Sequence, residues 1–397
     1  MTRYAVAVLV VSTVLAAPAE PASMELREAI ANGKASLGFR YRFEQVDQAY
    51  FGKDAKASTA RARMTWNSAP AGAVTLGVEA DYALILGLDS FNSTTNGRTQ
   101  YPVVADPEGF DLNQAFVKYA SGPVTVTTGR QRIIHGTQRM VGGVAFRQNE
   151  QTYDAVRVER VGEGLAWEYT YLHNVNRIFG PGDGAQPGDW YGNSHLFRAT
   201  ADPADNHAVT AFTYLLDFQN ANGPQFSNAT YGVEYQAQLD VVNLHASVAR
   251  QSDWGDNPLA FDVVFYSLQG DFALDPFTLT LGLHHLGSDD GAVGFRTPIG
   301  TLHKWQGWTD RFLVTPNDGV QDRWVAAGTK LGRANVTLVY HDFRADEGGA
   351  DYGSEVGMSL TYPIRDNLDL LVKTSRYSAE AHATDTTKFW LMLDWKM

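Results

Sequence analysis

The fold is decided by two short stretches, Leu37-Gly38-Phe39-Arg40-Tyr41-Arg42-Phe43 and Ala60-Arg61-Ala62-Arg63-Met64-Thr65-Trp66. Because successive residues of a β-strand point to opposite faces, each stretch would place apolar or aromatic side chains on one face and arginines on the other. The alternation recurs along the whole chain, with aromatic residues concentrated near the ends of the expected strands. We therefore predict a β-barrel with an apolar outer face and a positively charged lumen.

The composition is compatible with a membrane barrel and excludes ordinary transmembrane helices. The chain has 397 residues, of which 44% are hydrophobic and 19% are charged, and its mean hydropathy is -0.25. Beyond the N-terminus, no apolar run reaches the length of about 20 residues that a transmembrane helix needs. Transmembrane strands are half polar and are not detected by this criterion.

The charge balance and the absence of known motifs argue against several functions. A net charge of -12 and a pI of about 5.3 argue against a nucleic-acid partner, although an acidic chain can still enclose a local anion-binding surface. The sequence contains no cysteine and no G-x-S-x-G, H-E-x-x-H or P-loop pattern. His284 and His285 would point to opposite faces of one strand, which argues against a metal site. We predict no enzymatic activity, no metal and no cofactor.

The N-terminal region divides into two segments before the barrel. Residues 1–22 have the features of a secretory signal peptide, with Arg3, an apolar run over 5–17 and a cleavage site near 19–23. Residues 23–33 predict a short periplasmic helix that ends at Gly33. Residues 34–397 form the predicted barrel, and the signal peptide directs it to the bacterial outer membrane.

Long and short connections alternate strictly between the expected strands. Ser121-Gly122-Pro123 and Gly162-Glu163-Gly164 are typical short turns, whereas 135–149 and 287–319 are long. Outer-membrane barrels have tight periplasmic turns and long external loops. The pattern predicts an all-β, transmembrane, antiparallel up-and-down barrel of about 18 strands, wide enough for an aqueous channel.

The end of the chain also fits this class. The last strand, FWLMLDWKM, is amphipathic and ends at Met397, where bacterial barrels usually carry an aromatic residue that the assembly machinery recognises. Trp395 lies on the same strand face and is the expected substitute. We therefore expect outer-membrane lipid and the barrel-assembly machinery as partners.

At this level of detail the chain resembles the alginate export family of outer-membrane porins, from about Ala29 to the C-terminus. The most specific features are GRQRI at 129–133 and FRQNEQTYDAV at 146–156. Supporting segments are GFRYRFE at 38–44, TARAR at 59–63, DLNQAFVKY at 111–119, VYHDF at 339–343 and YGSEV at 352–356. The resemblance implies a monomeric 18-stranded barrel with an arginine-rich lumen that passes alginate or related acidic sugars.

A path for such solutes requires cations, and arginine binds carboxylates bidentately while staying charged. Arg130 and Arg132 face inward only if a bulge at Gly129 reverses the count from Val124. The loop that carries Arg147 either folds into the pore as a constriction or remains solvated. The predicted lumen cations are Arg40, Arg42, Arg61, Arg63, Lys118, Arg130, Arg132, Arg147, Arg157, Arg198, Arg250 and Lys373.

The same strand faces carry carboxylates, which leaves two interpretations of the arginines open. The predicted lumen carboxylates are Glu44, Glu79, Asp81, Glu159, Glu234 and Glu355. In the first interpretation the arginines guide an anionic oligo- or polysaccharide, with periplasmic export or catabolic proteins as partners. In the second they form structural ion pairs in a general porin for small solutes. An outer-membrane lipid hydrolase and a secreted lectin-like β protein are weaker alternatives.

Overall fold

The computed structural model describes residues 22–220 and 222–397. The predicted signal peptide therefore lies outside the described residues, except for its last position. Among the described residues, no helix is both long and apolar enough to cross a membrane.

The chain forms one short helix followed by strands. Two short 3-10 helices, Pro224–Phe226 and Leu302–Lys304, lie in loops. The remaining elements are α1 (Ala22–Ala31), β1 (Lys34–Gln48), β2 (Ala55–Asn67), β3 (Val74–Ser90), β4 (Gly109–Ser121), β5 (Val124–Gln131), β6 (Thr152–Gly162), β7 (Leu165–Asn176), β8 (Asp189–Ala204), β9 (His207–Leu216), β10 (Asn228–Gln238), β11 (Val242–Asp253), β12 (Asp262–Leu274), β13 (Phe277–Leu286), β14 (Ser288–Asp289), β15 (Val293–Gly294), β16 (Val320–Leu331), β17 (Ala334–Arg344), β18 (Asp351–Arg365), β19 (Leu368–Ala379) and β20 (Thr386–Lys396).

The strands form a closed antiparallel barrel. Consecutive strands pair along an 18-stranded sheet, and β13 pairs directly with β16 because β14 and β15 form a separate small hairpin. β1 pairs with β2 on one side and with β20 on the other, so that Arg40 lies opposite both Arg61 and Asp394. Closure removes the exposed sheet edges that a bilayer does not tolerate. The predicted fold class, including the strand number and the short N-terminal helix, is confirmed.

The two faces of the barrel wall differ as the alternation predicts. In β1, Leu37 and Phe39 are 42% and 41% exposed on the outer face, whereas Arg42 and Glu44 are completely buried on the inner face. A bilayer would cover the outer apolar side chains, so the hydrophobic effect holds this face in lipid. The inner face therefore carries the charged residues.

The two ends of the barrel also differ. The short turns lie at one end, and several use glycine in the left-handed region, for example Gly122 with φ 54° and Gly164 with φ 70°. Helix α1 lies at this end, where the backbone N–H of Ala69 donates a hydrogen bond to the carbonyl oxygen of Ala29 (3.0 Å). In outer-membrane barrels the end with short turns faces the periplasm.

At the opposite end, two long loops fold into the barrel. We call residues 132–151 the constriction loop and residues 287–319 the inner loop. They pair with each other through a parallel bridge between Val141 and Ile299, and Gln151 donates to the carbonyl oxygen of Ile299 (2.8 Å). Both loops contribute to an apolar core that also includes Phe265 and Phe343 of the wall. The barrel is therefore partly filled by its own loops.

Candidate functional site

The arginines of the two opening strands hold the constriction loop. The Arg40 guanidinium donates to the carbonyl oxygens of Ala145 (2.9 Å) and Arg147 (3.2 Å). Arg61 donates to the carbonyl oxygen of Gln148 (3.2 Å). Arg42 likewise donates to the carbonyl oxygen of Phe146. Three arginines of the wall thus bind consecutive parts of one loop backbone.

This arrangement corrects the prediction that Arg42 and Arg61 are open to a solute. Arg42 is completely buried, and Arg61 is only 8% exposed. Arg40 and Arg61 face each other across β1 and β2, where like charges would repel. Because both guanidiniums donate to loop carbonyls, the loop backbone compensates for this repulsion.

A buried ion-pair network lies directly beneath the constriction loop. Glu44 accepts hydrogen bonds from Arg42 (2.7 Å) and Arg147 (2.9 Å). Arg147 also approaches Asp310 of the inner loop at 3.3 Å, and Asp106 of the β3–β4 loop approaches Arg42 Nε at 3.4 Å. Burial alone would lower the pKa of Arg147, but Glu44, Asp106 and Asp310 raise it above the ordinary value. Arg147 was predicted to line the path, and the structure instead buries it as the link between the two loops.

His303 of the inner loop continues this network as a neutral imidazole. Its Nδ1 lies 2.7 Å from Asp310, and its Nε2 lies 3.0 Å from Lys373 Nζ. A single tautomer satisfies both contacts, with Nδ1–H donating to the carboxylate and Nε2 accepting from the ammonium. Burial lowers the pKa of His303 to about 3 despite the nearby carboxylate. Burial would raise the pKa of Asp310, but His303, Lys388 and Arg147 hold it well below its usual range.

Lys373 and Glu355 contact the inner loop and do not line an open solute path. Lys373 Nζ lies 4.0 Å from the centroid of the Trp308 ring and is buried, which contradicts its predicted exposure to a solute. Glu355 accepts from the backbone N–H of Thr309 (3.1 Å) and also binds the N–H of Trp308. A cation and a carboxylate of neighbouring strands therefore fix the turn at 308–309.

A second charge cluster joins β2 and β3 to the two ends of the constriction loop. Arg63 binds Asp81 (2.5 Å) and Glu150 (2.7 Å). Arg132 binds Glu150 (2.5 Å) and also contacts Glu79. Burial raises the pKa of Glu150, but Arg63 and Arg132 outweigh it and lower the value to about 2. The side chain of Arg132 remains 29% exposed, so this cluster is partly accessible.

The predicted bulge is absent, so the lumen position predicted for Arg130 is wrong: the register aligns it with Ala115 and Asp154, on the strand face opposite the buried Gln131. Arg132 lies beyond the end of β5 and reaches Glu79 and Glu150. β5 pairs continuously with β4 through Gly129, so no residue is inserted. Gly129 instead adopts φ 111°, in the left-handed region that side chains disfavour. Arg130 binds Asp154 (2.7 Å) and approaches Asp111 at 3.8 Å.

Three further predicted cations lie on the lumen face. The loops leave Arg157 and Lys118 accessible, whereas Arg198 is only 12% exposed and its partner Glu234 lies against Gly136 of the constriction loop. Arg157 binds Glu159 (2.9 Å), and Arg198 binds Glu234 (2.8 Å). Lys118 is exposed, and within residues 22–220 and 222–397 no carboxylate pairs with it. The register aligns Lys118 with Thr127 and Thr127 with Arg157, so the two cations share one level on β4 and β6.

The predicted position of Arg250 is wrong. Arg250 lies opposite Tyr231 and Val264, which are 51% and 47% exposed on the outer face, and it binds Asp262 there. The expectation failed because Arg250 lies two residues from Val248 in β11, so both share one strand face, and Val248 is 56% exposed on the outside of the barrel. Arg250 is therefore not a lumen residue.

Several residues of the site were not among the predicted ones. Asp106, Arg139, Glu150, His303 and Asp310 lie in loops, and Lys388 lies on the inner face of β20. The alternation of Lys388 with Phe389 and Leu391 could have identified that residue from the sequence. The loop residues have no comparable signal, since period-two alternation ends with the strand.

A closed 18-stranded barrel with an apolar outer face and two loops folded into a charged interior defines an outer-membrane channel. The chain belongs to the alginate export family, whose sequence profile matches residues 34–274. This is a family of outer-membrane channels rather than enzymes. No curated protein matches the chain.

Solved structures with the same fold are distant in sequence. OccAB4 of Acinetobacter baumannii is 13% identical, covers 92% of this chain and 98% of its own, and gives a TM-score of 0.70. OpdK of Pseudomonas aeruginosa, solved with vanillate, is 13% identical over 93% and 99% of the two chains, with a TM-score of 0.72. OccAB2 of Acinetobacter baumannii is 16% identical over 93% and 99%, with a TM-score of 0.70. At these identities the likeness establishes the fold.

Proposed function

We propose that this protein is a monomeric channel through which anionic saccharides, such as alginate oligomers or related uronates, pass the outer membrane passively. The observation that carries the proposal is the level shared by Lys118 and Arg157 on the lumen face, where neither cation is buried by the loops. Membership of the alginate export family supports the same class of solute.

The spacing of these cations suits a solute with several carboxylates. Lys118 and Arg157 lie two strands apart at one level, and neighbouring strands are about 4.8 Å apart, so their backbones are separated by about 10 Å. Two carboxylates of one short oligomer could contact both cations at once. Arg132, also partly exposed, extends the positive surface towards the constriction loop.

The carboxylate partners limit how tightly a solute is held. Arg157 keeps its Glu159 partner at 2.9 Å while 21% of its side chain stays exposed. Conduction requires that a binding site be strong enough to admit the solute and weak enough to release it. A paired but accessible arginine meets both conditions, because an arriving carboxylate shares the guanidinium with Glu159.

A general porin for small solutes is the second candidate. It is favoured by the extent of pairing, since Arg40, Arg63 and Arg198 each bind a carboxylate of the wall. Such pairing reduces the net field in the lumen. The similar fold of OpdK was solved with the small carboxylate vanillate, which is compatible with small solutes in this candidate.

Single-channel recording in planar bilayers separates the two candidates. We expect defined uronate oligomers to interrupt the current, neutral oligosaccharides of equal length to have less effect, and Lys118→Gln with Arg157→Gln to weaken the uronate effect. Arg250→Gln removes one positive charge from the outer face and is the matched control. Equal responses to uronate and neutral oligomers would contradict the saccharide proposal and favour the general porin.

A further inference from the structure

A small cavity lies between the folded loops and the wall formed by β10–β13. Arg139 of the constriction loop and Trp305 of the inner loop contribute to its lining, together with Glu234, His245 and Phe265 of the wall. The cavity has a volume of about 30 Å³. None of the interactions described above uses the charged group of Arg139.

Three nitrogen atoms around this cavity have no hydrogen-bond partner among the described residues. They are Arg139 Nε, Trp305 Nε1 and His245 Nδ1. Arg139 is only 5% exposed and Trp305 only 9%, so bulk water does not satisfy them. Buried N–H groups are nearly always paired in folded proteins. An unpaired guanidinium N–H and an unpaired indole N–H beside one cavity indicate a ligand that supplies acceptor oxygens.

The charge of the cavity has the sign that such a ligand requires. Arg139 donates to the side-chain oxygen of Gln306 (2.6 Å), and no carboxylate forms an ion pair with it among residues 22–220 and 222–397. Burial lowers the pKa of Arg139 to about 9, so the guanidinium is still protonated at neutral pH. Among the described residues that line the cavity, Glu234 is the one carboxylate, and Arg198 pairs with it at 2.8 Å.

Apolar rings surround the charge and strengthen its interaction with an anion. The ring centroids of Phe265 and Trp305 each lie 5.9 Å from the Arg139 guanidinium carbon. In such surroundings a charge-assisted hydrogen bond is less screened than in water. A buried cation without an ion-pair partner among the described residues is costly for folding even with the carboxylate of Asp322 nearby, which favours a role in binding.

We propose that this cavity is a subsite for one carboxylate group of the passing solute, held by Arg139 and Trp305. The inference rests on the proposed function and identifies a residue that selects for charge. A site for one water molecule needs about 10–15 Å³ measured in this way, so the cavity accommodates a carboxylate but not a sugar ring.

The rest of the solute has space along the same wall. A wider cavity of about 630 Å³ shares His245 with the subsite and is lined by amides such as Gln236 and Asn243 and by the carboxylates of Asp202, Asp205 and Asp271. A uronic acid could place its ring among these hydroxyl-binding groups and its carboxylate in the subsite. The subsite would then bind one sugar unit at a time, and it would act in addition to Lys118 and Arg157 on the β4–β6 wall.

The test compares the dwell time of D-glucuronate with that of D-glucose in single-channel recordings of the full-length protein. Arg139→Gln removes the charge, and Trp305→Phe removes only the N–H while it keeps an aromatic ring. We expect Arg139→Gln to shorten the glucuronate dwell time about tenfold, as for the loss of one charge-assisted hydrogen bond, and Trp305→Phe to shorten it less. Glucose events should not change, and Arg250→Gln should behave as the wild type.

Different failures have different meanings in this experiment. If the wild type distinguishes glucuronate from glucose and both variants retain its dwell time, the subsite is wrong and the proposed function stands. If the wild type does not distinguish the two sugars, both proposals are wrong. Heat-dependent migration on a gel identifies variants that have not formed the barrel, and Trp305→Phe decides the question if Arg139→Gln does not assemble.

Discussion

Glu44 of the barrel wall and Arg147 of the constriction loop form a buried ion pair with an N–O distance of 2.9 Å. Their positions are separated by 103 residues in the sequence, so this long-range contact ties the loop to β1. Arg42 and Asp310 complete the charge balance around them. This cluster of charges therefore joins the constriction loop to the wall beneath it and to the inner loop.

Removal of the Glu44 charge should release the constriction loop. Glu44→Gln leaves Arg42 and Arg147 buried with fewer negative partners, and breaking a buried pair in this way typically costs about 3–5 kcal/mol. We expect a larger and noisier single-channel conductance and a lower unfolding temperature in detergent. Glu159→Gln is the matched control, because its ion pair with Arg157 is partly exposed and contributes little to stability. Equal conductance in both variants would show that the loop does not depend on this pair.

Acidic pH should weaken the inner loop through His303. The pKa of this residue is about 3 in the folded protein because it is buried, whereas an unfolded histidine has a pKa of about 6.5. Between these values only the unfolded chain binds the proton, so stability is complete above about pH 6.5 and falls by up to about 1.4 kcal/mol per pH unit below it.

The measurement for His303 is the unfolding temperature at pH 7 and pH 5 in the wild type and in His303→Gln. Glutamine can donate to Asp310 and accept from Lys373 but does not titrate, so the variant should lose part of the pH dependence. An identical pH dependence in both proteins would exclude His303 as the group responsible. Asp310 cannot produce the effect in this range, since its pKa lies well below its usual value.

The strand faces could be predicted because they depend on local sequence. Arg40, Arg63, Glu79 and Asp81 lie on the predicted inner face, since period-two alternation assigns each residue to a side without further information. The alternation of long and short connections predicted the closed barrel, because the length of a connection can also be read from the local sequence. Arg250 was assigned to the wrong side, although the same alternation places it on the outer face with Val248.

The roles of the inner residues could not be predicted, because they depend on the loops. Arg42 and Phe146 are separated by 104 positions, and nothing in the alternation of β1 indicates which segment covers its inner face. In the sequence, Arg42 and Arg61 alternate with apolar residues just as Arg157 does. In the structure, however, Arg42 and Arg61 are buried and Arg157 remains accessible. Whether a lumen arginine is free for a solute is decided by the path of the constriction loop.

This difference predicts opposite phenotypes for two charge reversals on the inner wall. Arg61→Glu should disturb the loop, because the new carboxylate faces the carbonyl oxygen of Gln148, which now accepts a hydrogen bond from Arg61. We expect it to change the conductance. Lys118→Glu should leave the conductance largely unchanged and shift the reversal potential in a KCl gradient towards cation selectivity. The measurement is the conductance and the reversal potential of both variants under one set of conditions. If Arg61→Glu changed the ion selectivity but not the conductance, the predicted difference between the two positions would be wrong.

Gly129 should tolerate no side chain, because the ion pairs of Arg130 and Arg132 depend on its backbone conformation. An added Cβ would lie 2.3 Å from the carbonyl oxygen of Ala115, and the φ of 111° is itself unfavourable for other residues. Gly129→Ala should therefore destabilise the barrel by about 1–3 kcal/mol and displace Arg132 from Glu79 and Glu150. Gly52→Ala is the matched control, since an added Cβ there meets no atom within 4 Å. The measurement is the unfolding temperature of both variants together with the noise of the open channel, and equal values for the two variants would mean that the conformation at Gly129 does not constrain the strand.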